Sequence, residues 1–170
     1  MTQLIDVCIG LGANIGQPIA AIQQAFDDLR ALPLTTLVAA SRLYRTPAWG
    51  RVDQPDFINA AALLRTQLRP MELLHHLLDI ERKAGRTRDS EIASMRWGPR
   101  VLDLDLLLYG DRKLNEPGLR VPHPHLHERA FALVPLAEIA PNAAFPGYGS
   151  VAEALRLIDA SGVEAVHLER

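Results

Sequence analysis

The order of apolar patterns along this 170-residue chain predicts an α+β domain. Short apolar runs at strand spacing alternate with longer runs at helical spacing. Up to Tyr109 the order is strand, helix, strand, strand, helix, strand. Glycine and proline punctuate the junctions. This is the split βαβ, ferredoxin-like order βαββαβ, an antiparallel sheet with helices on one face. Additional C-terminal helices would have to cover other surface of the same layered domain.

The elements follow from the residues in turn. Ile5 to Leu11 is a short apolar run ending in glycines and reads as a buried strand. Gly10, Gly12 and Gly16 are spaced like a loosened dinucleotide fingerprint, with the last glycine one place late. The simpler reading is a tight strand-to-helix turn. Pro18 suits the first helical position. Ile19, Ile22, Phe26 and Leu29 form one helical face, and Pro33 stops the helix. Leu34 to Tyr44 carries Thr, Val and Leu at strand spacing. Residues 46–56 form a Pro- and Gly-punctuated loop, where Trp49 is either a packing lid or a ligand contact. Phe57 to Arg65 is a strand with Asn59 set among apolar neighbours. That amide either satisfies backbone groups or reads the edge of a heterocycle, since it both donates and accepts.

Pro70 opens a helix to about Ala84, and Gly85 suits the position just after it. Leu73, Leu74, Leu77, Leu78 and Ile80 are its apolar positions. Glu81 near its end is unfavourable against the helix dipole and hints at another role. Arg86 to Met95 is too polar for a core element. Val101 to Tyr109 is a strand, Gly110-Asp111 a turn, and Lys113 to Val121 a connector. His123, His125 and His127 then alternate with prolines and lack cysteine partners, a poor pattern for structural zinc. Arg129 to Ile139 reads as a helix interrupted by Pro135, Val151 to Ile158 as a final helix, and Val163 to Leu168 as a short edge strand. Residues 1–170 are expected to form a single domain.

Composition narrows the function. Apolar content of 48% and charged content of 22% suit a soluble globular chain. A formal net charge of −2 carries no nucleic-acid footprint. Charge is nevertheless uneven: six Lys or Arg lie between Arg82 and Arg100, against Asp89 and Glu91. That is either an anion-binding patch or a solvated loop. The single Cys8 sits in an apolar run and reads as a buried small hydrophobe. No signal pattern and no apolar run near about 18 residues is present, so a cytoplasmic monomer without membrane contact is expected.

The most informative stretch is Arg96 to Gly110, R-W-G-P-R-V-L-D-L-D-L-L-L-Y-G. On its strand, Leu102, Leu104, Leu106 and Leu108 should face a core, and Asp103, Asp105, Leu107 and Tyr109 the other side. The two aspartates would have Cα atoms roughly 6.5–7 Å apart. Carboxylates converging to about 5 Å repel by about 3 kcal/mol at an effective dielectric near 20. A solvated outer face tolerates that pair. A cation between them removes the repulsion, and Mg²⁺ fits, because it takes oxygen ligands and shares them with phosphates. Arg96 and Arg100, bracketing Trp97 and a Gly-Pro turn, suggest a metal–phosphate site with a planar ring nearby.

R-W-G-P-R-V-L-D-L-D, with Y-R-T-P and D-Q-P-D-F-I-N-A upstream and V-P-H and E-R-A-F downstream, closely resembles the 6-hydroxymethyl-7,8-dihydropterin pyrophosphokinase family of folate biosynthesis. The resemblance runs from about Ile5 to Pro146. It implies transfer of pyrophosphate from ATP to the pterin hydroxymethyl group, release of AMP, two Mg²⁺ ions and a ferredoxin-like fold. By position it implies Asp103 and Asp105 as Mg²⁺ ligands, and Arg86 and Arg100 as cations on the transferred group. It places Thr46, Pro47, Phe57, Asn59, Trp97 and Phe131 around the pterin. It places Glu81, Arg88, Trp97, Arg100, Leu106 and His123 on ATP. Phe57 stands where the family often has Tyr, and Gly118, Arg120 and Pro124 depart from its nucleotide-contacting pattern. The competing expectation is a non-catalytic ferredoxin-like module that binds a small ligand.

Overall fold

The computed structural model describes residues 3–47, 55–85 and 101–168. Its centre is a six-stranded sheet in which every neighbouring pair is antiparallel. Strand β1 (Ile5–Ala13) lies between β4 (Phe57–Thr66) and β5 (Asp103–Tyr109). The far side of β4 is shared by β2 (Thr35–Ala40) and β3 (Tyr44–Thr46). With β2 and β3 taken as one bent strand, this is the expected split βαβ order.

Helices α1 (Pro18–Arg30) and α2 (Pro70–Gly85) cover one face. Their buried positions Ile22, Leu29, Leu73, Leu77 and Ile80 repeat at helical spacing. They meet every second residue of the central strands, Val7, Ile9 and Leu11 on β1 and Ala60, Ala62 and Leu64 on β4. The opposite face carries a second core, where Cys8, Ala61 and Leu108 meet Leu133 and Leu136 of α3 (Ala130–Ile139) and Ala154 of α4 (Val151–Leu155). The C-terminal helices thus cover the other side of the sheet, as expected. Cys8 is 2% exposed, and burial pushes its thiol up to about 12. Among the described residues no helix is long and apolar enough to cross a membrane.

Several elements differ from the expectation. The run 34–44 is two strands. A register shift between Leu37 and Ala39 bends β2, and Ser41 then keeps the ladder, donating its N–H to the Ala61 carbonyl at 2.9 Å and accepting from the Ala61 N–H at 2.8 Å. The connector 113–121 holds a hairpin, β6 (Leu114–Glu116) and β7 (Leu119–Val121). Its Pro117-Gly118 turn has Gly118 at φ +80°, as a type II turn requires. A second hairpin, β8 (Ala144–Phe145) and β9 (Gly149–Ser150), precedes α4. Pro135 does not interrupt α3, which runs through it with the ring buried. Helix α4 ends at Leu155, and its N-terminus is capped by Ser150 Oγ, which accepts the Glu153 N–H at 3.1 Å. The last strand, β10, is only Glu164–Ala165 and pairs with β3.

The alternation of β5 is also corrected. Leu104 and Leu106 face α1 and α2 as expected, but Leu108 joins the second core and Tyr109 the first. The cause is a bulge: Cys8 pairs with Leu108 and Ile9 with Leu106, which leaves Leu107 without a cross-strand partner. One extra residue exchanges the two faces. Leu108→Ala should therefore disrupt the α3 side of the sheet. We expect a loss of about 2–5 kcal/mol, read as a fall in melting temperature of about 2–4 °C per kcal/mol. An unchanged melting temperature would contradict this packing.

Candidate active site

The pairing register assembles the site. Directly opposed residues of an antiparallel pair project to the same face. Asp103 pairs with Gly12, Gly12 with Asn59, and Asn59 with Tyr44. One strand step away, Asp105 pairs with Gly10 and Gly10 with Ala61. The carboxylates and Asn59 therefore share a face, with Gly12 between Asp103 and Asn59, while the Leu107 side chain packs over Gly10. Two strand spacings make the gap from Asp103 to Asn59 roughly 9–10 Å. Gly10 and Gly12 are strand residues, not a strand-to-helix turn. A Cβ at Gly12 would stand 3.2 Å from Asn59 Oδ1.

Asn59 and Thr46 are almost completely buried, and Asn59 Nδ2 donates to Thr46 Oγ1 at 2.9 Å. Phe57, half-buried, lies opposite Thr46 on the same face. Strand β3 is tied to α3 through Glu138, which accepts from Tyr44 Oη and from the Arg42 N–H at 3.1 Å. That tie fixes Thr46 relative to Phe131, in the first turn of α3.

At the other end, Asp103 is exposed and Asp105 half-buried. Glu81, near the end of α2, accepts the Leu104 N–H at 2.7 Å. It thus satisfies a donor on the edge strand between the two aspartates. Burial pushes its carboxyl up to about 7, and the charges of Asp103 and Asp105 add to this against the Leu104 N–H. The Arg129 guanidinium stands 4.0 Å from Asp105 Oδ2 and 5.6 Å over the Phe131 ring. His123 is anchored by its N–H to the Leu107 carbonyl at 3.0 Å. Its Nδ1 accepts the His125 N–H at 3.3 Å, which leaves the ring proton on Nε2. Burial, then the positive charges of Arg129 and His125, lower its pKa to about 4. At neutral pH it is an uncharged donor. His125 instead pairs with Glu128, and His127 stacks on Tyr148.

Two cavities open here. One, of about 590 Å³, lies between β5 and the β6–β7 hairpin and is lined by Leu104, Asp105, Leu106, Leu119 and His123. The other, of about 860 Å³, is lined by Thr46, Pro47, Arg129, Phe131 and the turn 159–163. Asp105 lines the first and Arg129 the second, and their charged groups stand 4.0 Å apart. Asp105, Leu106 and His123 thus line one cavity and Thr46, Pro47 and Phe131 the other, while Glu81 and Asp103 flank Leu104 and Phe57 and Asn59 lie beside Thr46 on β4. Trp49, Arg86, Arg88, Trp97 and Arg100 lie outside the described residues.

Arg129 had not been assigned a role. Its only sequence signal is its place in E-R-A-F just before a helix. Glycine inside a strand marks a close approach by another group, here the Leu107 side chain over Gly10 and Asn59 Oδ1 beside Gly12. Among the described residues no cluster of three or more His, Cys, Asp or Glu is close enough to hold a metal by itself. Asp103 and Asp105 nevertheless fit Mg²⁺, which is held through one or two carboxylates plus substrate phosphates.

Because burial raises the Glu81 pKa from 4.5 to about 7 in the folded state, ionising Glu81 costs folding free energy as pH climbs through that interval. Glu81→Gln should remove this cost while still accepting the Leu104 N–H. In metal-free urea denaturation, the variant should gain stability relative to the parent between pH 5 and 8. A difference independent of pH would refute the assignment.

The chain matches the family described as 7,8-dihydro-6-hydroxymethylpterin-pyrophosphokinase (HPPK) over residues 8–141. It is 45% identical over 158 residues to the 2-amino-4-hydroxy-6-hydroxymethyldihydropteridine pyrophosphokinase of Pseudomonas aeruginosa, covering 93% of this chain and 94% of that one. The enzyme of the same name from Methylorubrum extorquens is 46% identical over 158 residues, covering 93% and 96%. A solved Plasmodium falciparum HPPK-DHPS A437G with STZ-DHP shares the fold, with a TM-score of 0.68 at 13% identity. That alignment covers 92% of this chain and 46% of the other, so the chain spans about half of that longer protein. The chain belongs to the 7,8-dihydro-6-hydroxymethylpterin-pyrophosphokinase family.

Proposed function

We infer that the chain transfers pyrophosphate from ATP to the hydroxymethyl oxygen of 6-hydroxymethyl-7,8-dihydropterin, in folate biosynthesis, releasing AMP. The observation that carries this reading is the pair Asp105 and Arg129, 4.0 Å apart, each lining one of the two cavities. One cavity takes the nucleotide and the other the pterin. The two substrates then meet across a floor without side chains at Gly12.

In the reaction the hydroxymethyl oxygen attacks the β-phosphorus. The bond from that phosphorus to the α,β-bridging oxygen breaks, AMP leaves with the bond pair, and the hydroxyl proton passes to solvent. Such transfers depend on positioning and charge neutralisation more than on covalent help. Asp103 and Asp105 would hold two Mg²⁺ ions, which supply neutralisation of the phosphate charge. Glu81, Leu106 and His123 are assigned to ATP, the neutral His123 donating through Nε2–H. Thr46, Pro47, Phe57, Asn59 and Phe131 are assigned to the pterin, with Asn59 reading its polar edge. Arg86, Arg88, Trp97 and Arg100, from the sequence resemblance, complete the set. Arg129 joins them on its place between the cavities. No residue is assigned as an essential base.

The test is AMP formation from ATP and Mg²⁺ with and without the pterin. AMP and a pterin diphosphate should appear only with both substrates. Binding of either ligand without AMP would favour a non-catalytic module, and ADP would mean simple phosphoryl transfer. Asp105→Ala should lower turnover by about a hundredfold or more, with a melting temperature close to the parent because the side chain is half-exposed. Near-normal turnover of that variant with Mg²⁺ would remove the metal assignment.

A further inference from the structure

The cavity beside Thr46 has a wall that no motif assigns. Together with Thr46, Pro47 and Phe131 it is lined by Asp159, Ser161, Gly162 and Val163. These residues form a built turn. The Asp159 carboxylate accepts the Ser161 N–H at 2.9 Å, and the Val163 N–H donates to the Ala160 carbonyl at 3.1 Å.

Both ends of the turn are tethered. Before it, α4 buries Val151 and Ala154 in the second core. After it, Glu164 and Ala165 of β10 pair with Arg45 and Tyr44 of β3. The Val166 N–H continues the ladder to the Leu43 carbonyl at 2.8 Å, and the Val166 side chain packs against the first core. The turn is therefore clipped to the very strand that carries Thr46, so its position relative to that residue is set by backbone pairing.

We propose that the turn Asp159–Val163, held by the β10 clip, is a wall of the pterin cavity and determines which ring substituents the site accepts. This rests on reading the cavity as the pterin site. Gly162 is the position through which the wall acts. A Cβ there meets nothing within 4 Å, and its backbone is outside the left-handed region. A side chain added at Gly162 enters open space instead of the protein's own packing. A bare glycine thus leaves room at the wall, and a bulky residue takes it from the ligand.

The experiment is a graded series, Gly162→Ala, Gly162→Leu and Gly162→Phe, in the full chain. Pterin KM, kcat, affinity for a non-hydrolysable ATP analogue with Mg²⁺, and melting temperature are measured for each. The expected result is a pterin KM that rises with side-chain volume, by about tenfold or more for Phe. Nucleotide affinity and melting temperature should stay near the parent values. A Gly162→Phe KM within about twofold of the parent, in a series whose parent forms AMP, would overturn the wall. Parallel losses of pterin binding, nucleotide affinity and melting temperature would overturn it too, by marking the turn as structural only. If the parent forms no AMP, the proposed reaction fails instead, and the same series read by pterin fluorescence titration decides the wall separately.

Discussion

Two carboxylates on one face at the start of β5 are the constraint on which the site depends. Asp103 and Asp105 are two residues apart on a strand, so their side chains point the same way and their charges repel. The neighbouring strand answers with Gly12, which adds no side chain beside Asp103, and with Gly10, which admits the Leu107 side chain beside Asp105. Glu81 brings a third carboxyl and holds the intervening Leu104 N–H, at the cost of a raised pKa. Arg129 approaches Asp105 from the α3 side.

The sheet makes this arrangement possible by being covered unevenly. Helices α1 and α2 span one face. On the other, α3 and α4 pack over Cys8, Ala61 and Leu108, and the row Asp103, Gly12, Asn59 lies on the same face beside that core. The bulge at Leu107 reconciles the two demands on β5. Before it, Leu104 and Leu106 face α1 and α2 while the aspartates face the site. After it, Leu108 turns to the second core. Without that extra residue Leu108 would leave the α3 side.

Much of this was legible in the residues because it is local. Strand and helix periods gave the element order, and polar residues inside apolar strands, Asp103, Asp105 and Asn59, stood out against their neighbours. The bulge was not legible, since Leu106, Leu107 and Leu108 are chemically alike and carry no alternation to break. The two small hairpins have strands of three and two residues, too short for a period, although Pro117-Gly118 was a usable turn signal. Gly10 and Gly12 were misread because a glycine pair after an apolar run suits a turn as well as a close approach. Arg129 and the turn at Asp159 reach the site through contacts distant in sequence, Arg129 with Asp105 and β10 with β3, which no local pattern encodes.

The central claim is that the paired carboxylates are tuned to a cation shared with nucleotide phosphates. The most direct measurement is calorimetric titration of a non-hydrolysable ATP analogue into the protein with and without Mg²⁺, repeated for Asp103→Asn. The account predicts that removing Mg²⁺ weakens binding by more than about tenfold, and that the variant with Mg²⁺ binds about as weakly as the parent without it. Equal affinity with and without Mg²⁺ would contradict it.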